Sequence, residues 1–138
     1  MAEHSPIAIA AGEMLNTRLE FLELMDCGKV DVAQPDVGRV GGFTEAKRVC
    51  DLAADRGKLI VPHCWKTGIG IAASAHLSAA TAHCPYIEFL PAHLSESVLR
   101  RELTVDELKL VDGKIPLPTK PGLGIELNPE ALRKYRVA

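Results

Sequence analysis

The sequence has few of the features that mark nucleic-acid-binding or membrane proteins. Aromatic residues make up only 4% of the 138 residues, and the formal net charge is −2. This charge gives no reason to expect nucleic acid or an anionic membrane surface as a partner. No apolar run approaches the ~20 residues that a membrane span needs. The first run, Ile7–Ala11, is too short for a secretory h-region and follows no basic segment, so we expect a cytoplasmic protein.

Cysteine is also sparse, and its distribution argues against a metal or redox motif. The four cysteines are dispersed and form no C-x-x-C pair, so reduced thiols are expected. Cys64 directly follows His63, which could suggest a thiolate–imidazole pair. Neighbours on a strand point to opposite faces, however, and this geometry argues against such a pair.

The apolar residues that are present fall into a regular pattern. Hydrophobic residues make up 47% of the chain, enough for a domain that buries roughly two-thirds of its unfolded surface. Short apolar runs recur at intervals of about 25 residues, separated by amphipathic stretches, as a parallel βα array requires. This predicts an α/β fold with about four parallel strands alternating with helices. The predicted strands are Ile7–Ala11, Val30–Gln34, Leu59–Val61 and Tyr86–Leu90, and the predicted helices between them are Asn16–Cys27, Thr44–Arg56 and Ile71–Ala82.

The pattern changes after residue 91. Ser95–Glu102 is predicted to form a short helix, and Asp112-Gly113 is typical of the type I′ turn of a hairpin. A proline-rich segment then leads to Asn128, which is expected to cap a last helix. We therefore divide the chain into a partial barrel over residues 1–91 and a C-terminal helix, hairpin and tail over residues 92–138.

An ionisable residue lies at or near the end of each predicted strand. In βα barrels the active site is built at the carboxyl ends of the strands, so these side chains are expected to share one rim. Carboxylates suit a hard cation such as Mg²⁺, and a histidine oriented by an aspartate can transfer protons near neutral pH. The pattern therefore predicts a metal and acid–base site formed by Glu13, Asp36, His63 and Glu88.

Each of these residues also has an ordinary structural interpretation. Glu13 could be an exposed glutamate after a strand, Asp36 a turn residue beside Pro and Gly, and His63 a surface loop histidine. Glu88 is harder to explain in this way, because burying a carboxylate inside an apolar run without a partner is costly. Their equivalent positions along the repeat favour the functional interpretation.

Two further pairs of residues lie outside this four-residue pattern. Trp65 and Lys66 follow the candidate histidine, and they either line a substrate pocket or are merely exposed. The Arg100-Arg101 doublet is interpreted as a solvated helix end.

Longer segments carry a more specific signal. They are IAAGE, AQPDVGRVGGFTEAKRV, VPHCWKTGIGIAASAHLSAAT, YIEF and PLPTKPGLGIELNPEAL. In this order and spacing they resemble the enolase superfamily, and within it the mandelate racemase group with its acid-sugar dehydratases. The resemblance implies the C-terminal half of a (β/α)₇β barrel, with a tail that in the family returns to the capping domain. It also implies abstraction of the proton α to a carboxylate, with an enediolate stabilised on Mg²⁺.

The resemblance implies a role for each residue of the predicted rim. Glu13 corresponds to the third metal-ligating carboxylate, His63 to the proton-transferring group and Asp36 to its orienting partner. Glu88 corresponds to the acid that donates a hydrogen bond to the substrate carboxylate. The family's other two metal ligands and its Lys-x-Lys base have no counterpart in this sequence, so Mg²⁺ binding is expected to be weak.

Two functions from different classes remain open. In the first, the chain is part of a dehydratase or racemase acting on an acid sugar or hydroxy acid, and an N-terminal half completes the site. A dehydratase is preferred, because a racemase needs opposed bases and only the His63 side is present. In the second, the chain is a catalytically inactive half-barrel. Open sheet edges invite pairing, so we expect a homo-oligomer or association with the N-terminal half.

Overall fold

Three short parallel strands lie at the centre of the protein. A computed structural model describes residues 2–137 and places three strands side by side in chain order: β1 (Ala10–Ala11), β2 (Val32–Ala33) and β3 (Leu59–Ile60). In the register of the sheet, Ala11 of β1 lies opposite Ala33 of β2, which in turn lies opposite Ile60 of β3. The two ladders are therefore aligned, and the strands end side by side.

A helix follows each strand, and two shorter helices lie in the C-terminal part. The first helix begins with a capping box, in which the Thr17 hydroxyl accepts from the Glu20 N–H and the Glu20 carboxylate accepts from the Thr17 N–H. Single 3₁₀ turns lie at Ala2–His4 and Ala92–Leu94. The helices are α1 (Arg18–Asp26), α2 (Gly42–Ala54), α3 (Gly68–Ala79), α4 (Val98–Glu102) and α5 (Pro129–Lys134).

The core lies between the sheet and the first three helices. The inner face of α2 consists of small, buried residues. Helix α3 is buried on most of its faces, which is consistent with its many Ala and Ser residues. The fully buried core residues include Phe21, Ala33, Val40, Ala46, Val49, Cys50, Ala53 and Ile60.

The predicted fourth strand is wrong: residues 86–90 form no regular strand. The Ile60 N–H donates to the His83 carbonyl at 3.1 Å, which starts a ladder beyond β3. The next two rungs of a parallel ladder would need the N–H groups of Pro62 and Pro85, and proline has none. The ladder therefore stops after one bond.

The segment nevertheless stays attached to the end of β3. The Glu88 N–H donates to the Pro62 carbonyl at 3.3 Å, because proline can still accept a hydrogen bond. Glu88 is thus carried to the rim by an irregular segment rather than by a strand.

The C-terminal part confirms the predicted turn but not a full hairpin. Val111 and Lys114 form a single antiparallel pair, and Asp112 and Gly113 both have positive φ, as a type I′ turn requires. Helix α5 begins at the predicted N-cap, where the Asn128 side chain accepts from two backbone N–H groups.

No helix within residues 2–137 is both long and apolar enough to cross a bilayer.

Gly12 connects β1 to the rim and provides a test of this packing. Its φ is 124°, and a Cβ there would lie 2.5 Å from the Phe21 ring. We expect Gly12→Ala to lower the free energy of unfolding by ~2–4 kcal/mol, because backbone strain and overpacking combine. Urea denaturation monitored by circular dichroism measures this loss.

Gly57→Ala is the matched control. Gly57 has a φ of 62°, but apart from its own atoms and those of its two chain neighbours, no atom of residues 2–137 lies within 4 Å of its Cβ position. Backbone strain alone predicts a loss of about 1 kcal/mol. Equal losses in the two variants would contradict the proposed clash with Phe21.

Candidate active site

The ends of the three strands bring the predicted residues to one rim. Glu13, Asp36 and His63 follow β1, β2 and β3, respectively, within a few residues. The His63 Nε2 lies 3.7 Å from the Glu13 Oε2 and 3.8 Å from the Glu88 Oε2. The carboxylates of Glu13, Asp36 and Glu88 therefore surround the imidazole of His63.

The imidazole is oriented by a carboxylate. The His63 Nδ1 lies 3.0 Å from the Asp36 Oδ2, and both side chains are largely buried, with exposed fractions of 5% and 13%. A carboxylate can only accept, so Nδ1 carries the hydrogen, and Nε2 is the ring nitrogen that faces Glu13 and Glu88. When the ring is neutral, Nε2 is therefore its proton-accepting nitrogen.

Asp36 combines the two interpretations that the sequence left open. Its Oδ1 accepts from the Gly38 N–H at 2.8 Å, as in an Asx turn. Its backbone carbonyl accepts from the N–H groups of Arg39 and Val40. The loop after β2 is thus held by Asp36, and the second carboxylate oxygen is free to orient His63.

Glu88 is held by the loop that follows His63. The Cys64 N–H donates to the Glu88 Oε2 at 3.2 Å, and the Glu88 side chain remains 40% exposed. Its carboxylate therefore lies at the surface of the rim, within reach of a bound molecule.

Trp65 and Lys66 lie beside the hydrogen-bonded pair of His63 and Asp36, which we call the dyad. The Trp65 ring meets the His63 ring edge-on, with 5.8 Å between the centroids, and the Lys66 Nζ lies 3.9 Å from the Asp36 Oδ2. Both side chains are about half exposed and line a cavity of about 290 Å³ on the Asp36 side of the dyad. A cation and an aromatic ring at this place suit an anionic ligand.

In the part of the chain that the structure describes, the donors needed for a complete Mg²⁺ site do not occur together. Within residues 2–137, no cluster of three or more His, Cys, Asp and Glu side chains is arranged to hold a metal ion. The Glu13 side chain is 57% exposed, and its close ionic contact is His63. Mg²⁺ requires near-octahedral oxygen coordination, and one carboxylate falls short of it.

Burial argues against Cys64 as a nucleophile. Its side chain is buried, with 4% exposure, and burial raises the pKa of its thiol to about 11. The reactive thiolate is therefore scarce at neutral pH. All four cysteines are free.

The interpretation of Arg100 as part of a solvated helix end is wrong. The Arg100 side chain is 1% exposed, and its guanidinium donates to the carbonyl oxygens of Trp65, at 2.9 Å, and Leu90. It also pairs with the Glu107 carboxylate at 2.6 Å. Arg101 is exposed, as the sequence interpretation expected.

A weak sequence signal for this burial does exist. Leu103 lies one helical turn after Arg100 and is buried, so the two residues share the inner face of a short helix. The two adjacent arginines suggested an exposed helix end, so the buried face was not predicted.

Comparison with known sequences decides the family. The sequence profile of the enolase C-terminal domain-like family matches residues 1–131. The chain belongs to this family. It is 36% identical to D-galactarolactone cycloisomerase of Agrobacterium fabrum, over 96% of this chain and 36% of that protein. It is 31% identical to arabinonate dehydratase of Saccharolobus solfataricus, over 99% of this chain and 35% of that protein.

Solved structures show the same partial correspondence. The 3,6-anhydro-D-galactonate cycloisomerase from Zobellia galactanivorans superimposes with a TM-score of 0.85 at 36% identity, over 96% of this chain and 37% of that one. A mandelate racemase/muconate lactonizing enzyme from Jannaschia sp. CCS1 gives 0.85 at 31% identity, over 99% and 34%. The fold thus matches the C-terminal barrel portion of such enzymes, and the chain spans about a third of their length.

The burial of Cys64 predicts a selective reaction with alkylating agents. At pH 7.5, iodoacetamide should label the exposed Cys27 and leave Cys64 unmodified in the folded chain. Peptide mass spectrometry quantifies the labelling. Labelling of both thiols at the same rate would contradict the assignment.

The same burial makes the stability of the fold depend on pH. Because the pKa of the folded thiol lies above its ordinary 9.0, the protonated thiol stabilises the fold below pH 9. This contribution disappears as the pH rises through about 11.

Proposed function

We propose that this chain supplies the C-terminal half of the barrel to an enzyme of the mandelate racemase group. Such an enzyme would abstract the proton α to the carboxylate of an acid sugar or hydroxy acid and form an enediolate. In a dehydratase, loss of the hydroxyl group from the neighbouring carbon would then complete the elimination of water. The observation that carries this proposal is the buried His63–Asp36 dyad, whose Nε2 faces two carboxylates at the strand ends.

The dyad has the properties that proton transfer requires. The Nε2 of His63 would take the α-proton, and the Asp36 carboxylate at 3.0 Å would stabilise the resulting imidazolium. Asp36 is itself held by the Gly38 N–H, so the ring stays oriented before substrate arrives. Glu88 would donate a hydrogen bond to the substrate carboxylate, in the role that the family resemblance implies.

The substrate class follows from the charge at the rim and from the relatives. Lys66 and Trp65 line the cavity beside the dyad, where a carboxylate could bind the ammonium group. The relatives include enzymes named for arabinonate, L-rhamnonate and D-galactonate, which are acid sugars. We therefore propose a carboxylate-bearing acid sugar as substrate and dehydration as the preferred reaction, in the cytoplasm. Racemisation or cycloisomerisation would begin with the same proton abstraction.

The remaining ligands of the proposed Mg²⁺ site would have to come from another part of the enzyme. Glu13 is proposed as one Mg²⁺ ligand, since it is an exposed carboxylate at the same rim as His63. The remaining donors would come from an N-terminal barrel half that associates with this chain. Glu13 alone is not expected to retain the ion.

The proposed role of His63 is testable in a hybrid barrel. This chain would replace the C-terminal third of the S. solfataricus arabinonate dehydratase, and deuterium incorporation at the α-carbon of arabinonate in D₂O would be measured by NMR. His63→Asn and Asp36→Asn should each lower the exchange rate by about 10²–10⁴-fold, because the base or its orienting partner is lost.

His93→Asn is the matched control for this experiment. His93 is exposed and lies on the 3₁₀ turn after the Glu88 segment, so its replacement should leave the rate unchanged. Exchange at the unaltered rate in His63→Asn would remove the assignment of His63 as the base.

A second function, a catalytically inactive half-barrel that self-associates, is favoured by a different observation. Within residues 2–137, β1 pairs only with β2 and forms the edge of the sheet. Ile7 and Met14, on either side of this edge, are 72% and 62% exposed. An unpaired strand edge flanked by apolar side chains is a template for pairing with another chain.

Magnesium titration separates the two functions. We expect calorimetry of this chain alone to show no saturable binding at millimolar Mg²⁺, because one exposed carboxylate holds the ion too weakly. Sedimentation equilibrium on the same samples reports the oligomeric state. Saturable binding that appears with self-association and disappears in Glu13→Gln would contradict this expectation, since a second copy would then be completing a metal site.

A further inference from the structure

One buried arginine connects the two segments that carry the site. Arg100 lies on α4, and its guanidinium donates to the Trp65 carbonyl at 2.9 Å and to the Leu90 carbonyl. Trp65 is two residues after His63, and Leu90 is two residues after Glu88. A single side chain therefore bridges the loop after β3 and the irregular segment where a fourth strand was expected.

This bridge occurs where the sheet provides little support. Pro62, just after β3, and Pro85, on the facing segment, interrupt the ladder, and within residues 2–137 two backbone bonds remain between these segments, Ile60 to His83 and Glu88 to Pro62. The Cys64 N–H to Glu88 contact crosses the same gap. The Arg100 guanidinium donates to a carbonyl on each of the two segments, and these hydrogen bonds replace the missing backbone bonds beyond the prolines.

Glu107 holds the guanidinium in place. Its carboxylate lies 2.6 Å from the Arg100 Nη2, and the two side chains are 12% and 1% exposed. Burial raises the pKa of the Glu107 carboxyl, while the neighbouring guanidinium acts in the opposite direction. Arginine presents five donors in a rigid plane, so it can reach three acceptors together, whereas a lysine ammonium is a point charge on a flexible stem.

We propose that Arg100 is a positioning residue that sets the distance between the His63 loop and Glu88. The proposed function gives this site its reaction and the inference rests on it to that extent. The positioning itself is a property of the folded chain and is measured without turnover.

The experiment measures local order in the 138-residue chain. Hydrogen–deuterium exchange would follow the peptides that contain the Cys64 amide and residues 86–90, with a peptide from α2 as reference. Trp65 is the only tryptophan in the sequence, so acrylamide quenching of its fluorescence reports on the same loop. Arg100→Lys should lose protection in both site peptides and raise the quenching constant, while the α2 peptide exchanges as before.

A second variant guards against simple misfolding. Arg100→Met alone would leave the Glu107 carboxylate buried without its partner, whereas Arg100→Met with Glu107→Leu removes both charges and keeps the volume. This double variant should fold and show the same loss of protection at Cys64. Arg101→Lys is the control and should change neither readout.

The outcomes separate this inference from the proposed function. Unchanged exchange and quenching in the folded double variant would overturn the role of Arg100, whatever His63 does. Loss of protection confined to the site peptides would support it, even if His63→Asn in the hybrid barrel kept its activity. Uniform loss across all peptides, including α2, in both Arg100 variants would also overturn it, because the residue would then act on global stability only.

Discussion

The site depends on the parallel register of three two-residue strands. Ala11, Ala33 and Ile60 lie opposite one another, so the chain leaves each strand at the same height. Backbone bonds carry the alignment past the strand ends: the His63 N–H still donates to the Pro35 carbonyl at 3.2 Å. The imidazole and the Asp36 carboxylate meet because the ladder between their strands continues almost to the residues themselves.

Register alone would leave the side chains mobile, and the loops supply the remaining constraint. The Asp36 carboxylate is shared between the Gly38 N–H and the His63 Nδ1, so the turn that shapes the loop also fixes the tautomer. Glu88 is held by the Cys64 N–H and by a segment tied to Arg100. Asp36 and Glu88 thus each accept from a backbone N–H, and Asp36 also accepts from the His63 ring N–H.

What the sequence predicted well is local in origin. Helix α5 begins after Asn128 because a side-chain cap is decided within one turn, and Asp112-Gly113 adopts positive φ because these residue types tolerate it. The convergence of Glu13, Asp36 and His63 also follows from one repeated pattern. The failures are non-local. The composition of residues 86–90 is typical of a strand. The ladder that would pair this segment with β3 is interrupted because Pro62 and Pro85 have no N–H groups to donate. Arg100 is buried only because acceptors from distant segments meet there.

The same distinction separates the His63–Asp36 contact from the proposed Mg²⁺ site. The dyad is built from adjacent strands, β2 and β3, whose pairing lies within the chain, so its 3.0 Å contact is formed by the fold described. Coordination of Mg²⁺ requires donors that surround the ion, and an arc of three neighbouring strands approaches it from one side only. Glu13 accordingly stays exposed and contacts His63. The remaining donors of the proposed Mg²⁺ site would therefore have to come from elsewhere, while the orientation of His63 is already determined by this chain.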